Sequence, residues 1–157
     1  MTFTHLDSAG HARMVDVTDK TPTVRAATAK GFVRCAASTI GLLRDGSVPK
    51  GDVLAVSRIA GIQAAKRTPE LLPLAHVIGV HGAVVDLEIE DEGVRIEATV
   101  RTADRTGVEM EALTAVSVAA LSVIDMIKGV DKSASIENLR ITAKEGGRSG
   151  SWRRPGE

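Results

Sequence analysis

The chain of 157 residues has few aromatic side chains, which make up 2% of it and include no tyrosine. Its core must therefore consist of Val, Ile, Leu and Ala, and small aliphatic side chains each bury little apolar area. Sharing apolar surface with other subunits would increase stability, so the composition favours an oligomer. The single cysteine, Cys35, excludes an internal disulfide and a cysteine-based zinc site, and its apolar neighbours indicate a buried, inert thiol.

Net charge is also absent, because Lys plus Arg and Asp plus Glu each number 20. Nothing therefore draws the whole chain to nucleic acid or to a membrane surface. Residues 1–20 contain no apolar signal core, and no uninterrupted apolar run approaches the ~20 residues that a membrane span requires. We expect a cytoplasmic protein without nucleic-acid or membrane partners. Trp152 beside Arg153 and Arg154 suits base stacking, but a single aromatic residue in a tail does not define a nucleic-acid site.

The whole chain is 43% hydrophobic and 25% charged, which predicts a single globular domain over residues 1–157. Residues 1–20 are polar and predict a mobile N-terminal arm, in which His5 and His11 are solvated rather than functional. Residues 145–157 predict a flexible tail rich in Gly and Arg.

Hydrophobic periodicity predicts the order strand, helices, hairpin, long helix, strand. The predicted elements before the hairpin are a strand at 23–36, helices at 38–44 and 52–67, and a short turn capped by Thr68-Pro69. Two alternating runs, 85–90 and 94–101, flank a Gly-containing turn and predict the hairpin. In the last strand, alternation places Leu139, Ile141 and Ala143 on one face and Arg140, Thr142 and Lys144 on the other. This order matches the β-α-β-β-α-β pattern of a ferredoxin-like α+β sandwich, an antiparallel sheet with helices on one face.

The long helix, near 109–128, is poor in charge on two sides, which predicts that it packs on its own sheet and on a second surface. Thr106 precedes Glu109 by the spacing of a capping box, so Glu109 is predicted to cap the helix. Asp125 and Lys128 share one face and form either a proton-transfer pair or an ordinary ion pair, the commoner case. Asp125 lies fourteen residues beyond Glu111, ~21 Å along a helix. The two carboxylates therefore contact two ends of a long ligand or different copies of a site between subunits.

Basic residues form a second set of candidates. Lys50 precedes Gly51 and a predicted helix, a context that suits phosphate, although a solvated loop lysine is commoner. Lys144 and the glycines after it offer cations and backbone N–H groups to a phosphate, although a disordered tail is the better interpretation. His76 is more often structural in such a context, and its spacing from His81 does not suit metal chelation.

Taken together, six blocks resemble the cyclic pyranopterin monophosphate synthase family of molybdenum cofactor biosynthesis. They are MVDV at 14–17, KGDVLAVSRIAGIQAAKRT at 50–68, LLPLAH at 71–76, TGVEMEALTAVSVAAL at 106–121, DMIKGVDK at 125–132 and AKEGGRSG at 143–150. They span nearly the whole chain in the family's order. Ala75 and Val77 depart from the family pattern, in which cysteine and proline are frequent, so the local geometry of His76 is expected to differ.

The resemblance implies a lyase that converts 3′,8-cyclo-7,8-dihydro-GTP to cyclic pyranopterin monophosphate and diphosphate. It implies a homo-hexamer, a trimer of dimers with active sites at subunit interfaces, coupled to the upstream radical GTP cyclase. The reaction is redox-neutral, so no cofactor or protein-bound metal is expected, and whether Mg²⁺ accompanies the substrate phosphates is left open. The implied catalytic residues are Asp125, Lys128 and Lys50. The implied substrate-binding residues are Leu74, Ala75, His76, Glu109, Met110, Glu111, Arg25 and Lys144.

Two other functions remain open. A non-catalytic nucleotide-binding regulatory module fits the same fold, because a fold does not determine function. A structural oligomer is supported only by the apolar long helix. Both alternatives predict no turnover.

Overall fold

The computed structural model describes residues 4–157 and has an α+β architecture, in which helices cover one face of an antiparallel five-stranded sheet. The strands are β1 (Thr23–Arg34), β2 (Gly82–Glu90), β3 (Gly93–Asp104), β4 (Ser135–Glu145) and β5 (Trp152–Arg153). The helices are α1 (Ala37–Asp45), α2 (Val53–Lys66), α3 (Thr68–Leu71) and α4 (Glu109–Ile127).

The strand order is β2-β3-β1-β4-β5, and its first four strands have the ferredoxin-like arrangement, which confirms the predicted fold class. β1 lies between β3 and β4, so its inward residues Ala27, Ala29 and Val33 are fully buried. β2 and β3 form the predicted hairpin, with Glu90 opposite Gly93.

Helix α4 packs tightly on the sheet and on α2 because glycines face it from both sides. A Cβ on Gly31 of β1 would lie 2.8 Å from Cγ1 of Val116. A Cβ on Gly61 of α2 would lie 2.9 Å from the carbonyl oxygen of Ala115 and 3.2 Å from Cβ of Ala119. The prediction that the long helix packs on two surfaces is therefore confirmed within one chain. α4 is also apolar and long enough to cross a membrane by composition alone, but half of that apolar window is buried in the fold.

The predicted capping box of Thr106 and Glu109 is wrong. Val108 is the N-cap of α4, and no side chain caps the helix. This N-cap is fully buried and lies two residues beyond Thr106, too far for Thr106 to act as the cap. The carboxylate of Glu109 instead accepts a hydrogen bond from Nζ of Lys144 at 3.1 Å.

The face prediction for the last strand is wrong beyond Thr142. In the pairing with β1, Ile141 is opposite Ala29 and Ala143 is opposite Thr28, so Thr142 is an extra residue in a β-bulge. Directly opposed residues share a face of the sheet. Lys144 is opposite the buried Ala27, so the bulge moves Lys144 to the helix-covered face, where it reaches Glu109.

Both predicted terminal segments make ordered contacts. Nε of Arg105 donates to the carbonyl of Lys20 at 2.9 Å, which ties the end of the arm to the sheet. In the tail, β5 pairs with β4, and Arg140 contacts the carboxylate of Glu157. The tail therefore includes a short strand; the mobility of both segments stays a prediction.

Substituting Gly61 with alanine tests the close approach of α2 and α4. Alanine favours a helix over glycine by about 1 kcal/mol, but the new Cβ meets backbone that cannot easily shift, and overpacking costs about 1–3 kcal/mol. We expect Gly61→Ala to lower the free energy of unfolding in urea. Gly41→Ala in α1 is the matched control, because within residues 4–157 nothing beyond its own helical turn lies within 4 Å of the position that its new Cβ would take. It should be neutral or stabilising, and equal effects of the two substitutions would contradict the packing argument.

Candidate active site

The candidate residues lie at the two ends of α4. Glu109, Met110 and Glu111 are in its first turn, whereas Asp125 is in its last turn and Lys128 is its C-cap. The helix is continuous over 19 residues. The ~21 Å between Glu111 and Asp125 expected from helical rise therefore applies to the folded chain.

At the C-terminal end, Lys50, Asp125 and Lys128 form one group, here called the lysine–aspartate cluster. Nζ of Lys50 lies 2.7 Å from Oδ2 of Asp125, and Nζ of Lys128 lies 2.6 Å from Oδ1. Lys50 also donates to the backbone carbonyl of Asp125 at 3.1 Å. The three side chains are 50–61% exposed, so a ligand in solution can reach all of them.

Antiparallel packing of α2 on α4 brings Lys50 to this cluster. Ser57 contacts Ser122 at 3.0 Å, and Gly61 faces Ala115, so the start of α2 lies beside the end of α4. Asp52 caps α2 by accepting from the backbone N–H of Ala55, which fixes the turn that carries Lys50. Sequence patterns alone placed Lys50 and Asp125 in separate sets.

Asp131, which the sequence analysis did not single out, holds the chain just beyond Lys128. It is 5% exposed and accepts hydrogen bonds from the backbone N–H of Ala36 at 2.8 Å and from Oγ1 of Thr39 at 3.1 Å. Hydrogen bonds from Ser133, together with that from Ala36, lower the pKa of Asp131 to about 2. The carboxylate thereby joins the end of α4 to the start of α1.

The two lysines of the lysine–aspartate cluster stabilise the charged form of Asp125. The hydrogen bond from Lys128, followed by that from Lys50, lowers the pKa of Asp125 to about 2. Asp125 is therefore ionised at neutral pH and accepts hydrogen bonds from both lysine side chains.

At the N-terminal end of α4, a cavity of about 440 Å³ opens beside the helix. Its wall consists of His5, Leu74, Ala75, His76, Thr106, Gly107, Glu109, Met110 and Glu111. A smaller cavity of about 240 Å³ shares Thr106, Gly107 and Glu109 with it and adds Arg25 and Lys144. We call these two spaces the helix-start cavities. They contain every predicted substrate-binding residue.

Both basic and acidic side chains line the helix-start cavities. Lys144 pairs with Glu109, and Nε of Arg25 is held by the carbonyl of Asp104 at 3.2 Å. Glu111 is only 3% exposed, and burial raises the pKa of its carboxyl group. A partly desolvated carboxyl group at a cavity wall is suited to bind hydrogen-bond donors of a ligand.

Several wall residues were not predicted as site residues, among them Gly107 and His5. A Cβ on Gly107 would lie 2.0 Å from Oε2 of Glu109, so the glycine makes room for that carboxylate. A glycine next to a predicted helix start is a sequence feature from which the position of Gly107 in the wall could have been predicted. His5 was predicted to be solvated; it is exposed but lines the cavity.

The fold and these sites define a class: a small ferredoxin-like α+β protein with a cation–carboxylate cluster and a charged binding cavity at opposite ends of one core helix. The model of the MoaC family matches residues 14–147. The chain therefore belongs to the MoaC family.

Three relatives are close to this chain in length, and all three carry the name cyclic pyranopterin monophosphate synthase. The protein from Nocardioides sp. is 57% identical over 98% of this chain and 96% of its own. That from Streptomyces coelicolor is 60% identical over 97% of this chain and 89% of its own. That from Chloroflexus aurantiacus is 57% identical over 98% and 95%, respectively.

Removing either lysine of the lysine–aspartate cluster should raise the pKa of Asp125 from about 2 towards its ordinary 3.8. Lys128→Gln should have the larger effect, because Lys128 is the main cause of the lowered value. Carbon-13 NMR of the carboxyl group during an acid titration measures this directly. Lys132→Gln is the control, since Lys132 is not a partner of Asp125. If the pKa of Asp125 stayed unchanged in both Lys50→Gln and Lys128→Gln, the cluster would be contradicted.

Proposed function

We propose that the chain is a cyclic pyranopterin monophosphate synthase that converts 3′,8-cyclo-7,8-dihydro-GTP to cyclic pyranopterin monophosphate and diphosphate. It is then a lyase of molybdenum cofactor biosynthesis. Family membership over residues 14–147 and the shared name of relatives at 57–60% identity support this function. The observation that carries it is the lysine–aspartate cluster, whose two lysines hold one ionised carboxylate.

The reaction needs the chemistry that this cluster offers. Opening the imidazole ring of the purine and closing a pterin ring requires several proton transfers. Asp125 is the acceptor, and Lys50 and Lys128 are the donors. Loss of diphosphate with closure of a cyclic phosphate develops negative charge, which the same two ammonium groups stabilise.

The helix-start cavities supply substrate binding in this proposal. Lys144 and Arg25 attract the phosphates of the nucleotide, since both are cations beside one cavity. Glu109, Met110 and Glu111 contact the purine-derived part, together with the wall formed by Leu74, Ala75 and His76.

In one chain, the lysine–aspartate cluster and the helix-start cavities lie at opposite ends of α4, ~21 Å apart. That distance is too long for one substrate molecule to contact both. We therefore propose that sites are completed between subunits of a homo-hexamer, a trimer of dimers. Apolar side chains on the outer surface of the helix layer support association. Val56 and Ile59 of α2 are 46% and 67% exposed, and Leu121 of α4 is 57% exposed.

The remaining parts of the proposal follow from the reaction. No redox cofactor is needed, because substrate and product have the same oxidation level, and Mg²⁺ enters at most with the substrate phosphates. The enzyme acts in the cytoplasm after a radical GTP cyclase, which supplies its substrate.

Turnover of chemically prepared 3′,8-cyclo-7,8-dihydro-GTP tests the function. We expect diphosphate release and, after oxidation, pterin fluorescence, with no conversion of GTP itself. Asp125→Asn should lower kcat by about 10²–10⁴-fold, the usual contribution of a general acid or base. Lys132→Gln should leave kcat unchanged. Binding of the nucleotide without turnover would instead indicate the regulatory module, and near-normal turnover by Asp125→Asn would remove its assigned role.

Mixing inactive variants tests whether sites are shared between subunits. Chains carrying Asp125→Asn and chains carrying Glu111→Gln, refolded together in equal amounts, should regain activity. Random assembly gives about one quarter of the sites both intact residues when these come from different chains. Asp125→Asn mixed with Lys128→Gln is the control, because every lysine–aspartate cluster in that mixture carries one of the two substitutions. No recovery in the first mixture would exclude sharing between Asp125 and Glu111, and recovery in the control would show that Asp125 and Lys128 of one chain do not act together.

A further inference from the structure

The N-terminal arm contacts His76, a wall residue of the helix-start cavities. Residues 14–18 line a further cavity of about 480 Å³ together with residues 76–78, Asp104 and Arg105. His76 belongs to the walls of both this cavity and the one that contains Glu111. His76 therefore lies between residues 14–18 of the arm and the proposed substrate site.

The contact between the arm and the imidazole is a single short hydrogen bond. Nε2 of His76 lies 2.5 Å from the backbone carbonyl oxygen of Val15. A carbonyl oxygen has no proton to donate, so Nε2 must carry the proton. Within residues 4–157, Nδ1 of His76 makes no hydrogen bond, so in the neutral ring this nitrogen is an available acceptor.

Two further contacts keep the Val15 carbonyl in place. Oδ1 of Asp16 accepts from the backbone N–H of Thr18 at 2.9 Å and from its hydroxyl at 2.6 Å, forming a turn directly after Val15. Arg105 holds the carbonyl of Lys20. The segment is thus attached to the sheet on one side and to His76 on the other.

We propose that Val15 is a positioning residue whose backbone carbonyl holds His76 in the Nε2–H tautomer. Nδ1 is then left to accept a hydrogen bond from an N–H or O–H group of the substrate. This inference rests on the proposed function only in that His76 contacts substrate. The tautomer itself is a property of the substrate-free chain.

Nitrogen-15 NMR of the full-length protein measures the tautomer without substrate. At about pH 9, above the usual range of imidazole titration, long-range proton–nitrogen correlations distinguish Nε2–H from Nδ1–H rings. His76 is assigned by the signals that His76→Gln removes. A single Nε2–H pattern is expected. An Nδ1–H pattern, or rapid averaging of the two, would overturn the proposal.

A backbone acceptor is tested by replacing its amide with an ester, whose carbonyl is a weaker acceptor. The single cysteine permits this: a synthetic peptide of residues 1–34 joined to residues 35–157 at Cys35 restores the natural chain. An ester between Val15 and Asp16 weakens the contact with His76. An ester between Met14 and Val15 is the matched control, because the Met14 carbonyl accepts no hydrogen bond within residues 4–157.

The Val15–Asp16 ester should introduce the second tautomer in the NMR spectrum. It should also lower kcat/KM roughly fivefold to tenfold, the effect of losing about one hydrogen bond. The control ester should change neither measurement. A change of tautomer with normal kcat/KM would show that the contact does not serve the reaction, and equal effects of both esters would show a general effect on folding. Failure of the proposed function is distinguishable, because the unmodified protein would then lack turnover while the tautomer result would stand.

Discussion

The close packing of α4 between β1 and α2 is the constraint on which the rest of the structure depends. Gly31 on one side and Gly61 on the other allow backbone and small side chains to meet α4 around Ala115 and Val116. A chain with few aromatic residues gains its core in this way, because close contact compensates for small side chains. The depth and direction of α4 are thereby fixed along its length, and both of its charged ends are fixed with it.

This packing explains why the lysine–aspartate cluster and the helix-start cavities are separate. α2 runs antiparallel to α4, so the turn that precedes α2 brings Lys50 to Asp125, while the other end of α2 leads through α3 towards His76. Each end of the helix pair thus receives residues from a different part of the chain. A rigid helix holds the two ends apart, and in the proposed hexamer association of subunits is the means by which one site acquires both sets of residues.

Regular elements were predictable where the pattern depends on neighbours in the chain. The hairpin of β2 and β3 followed from alternating residues, and α2 from helical spacing. Predictions failed where tertiary contacts outweighed local preference. The N-cap of α4 is the buried Val108, without a side-chain cap from Thr106 or Glu109, and the bulge at Thr142 placed Lys144 on the helix-covered face. No local pattern in β4 signals that extra residue, because it depends on the pairing with β1.

The order of elements, the ferredoxin-like class and membership of the MoaC family were therefore contained in the amino-acid sequence, as were the residue types available for proton transfer and phosphate binding. Which of those residues meet depended on the folded chain. Lys50 and Asp125 are 75 positions apart, Lys144 and Glu109 are 35 apart, and His76 and Val15 are 61 apart. Periodicity reports only on residues within a few turns or strand positions of one another, whereas these pairs form through the packing of α2 on α4, the register of β4 on β1 and the path of the arm.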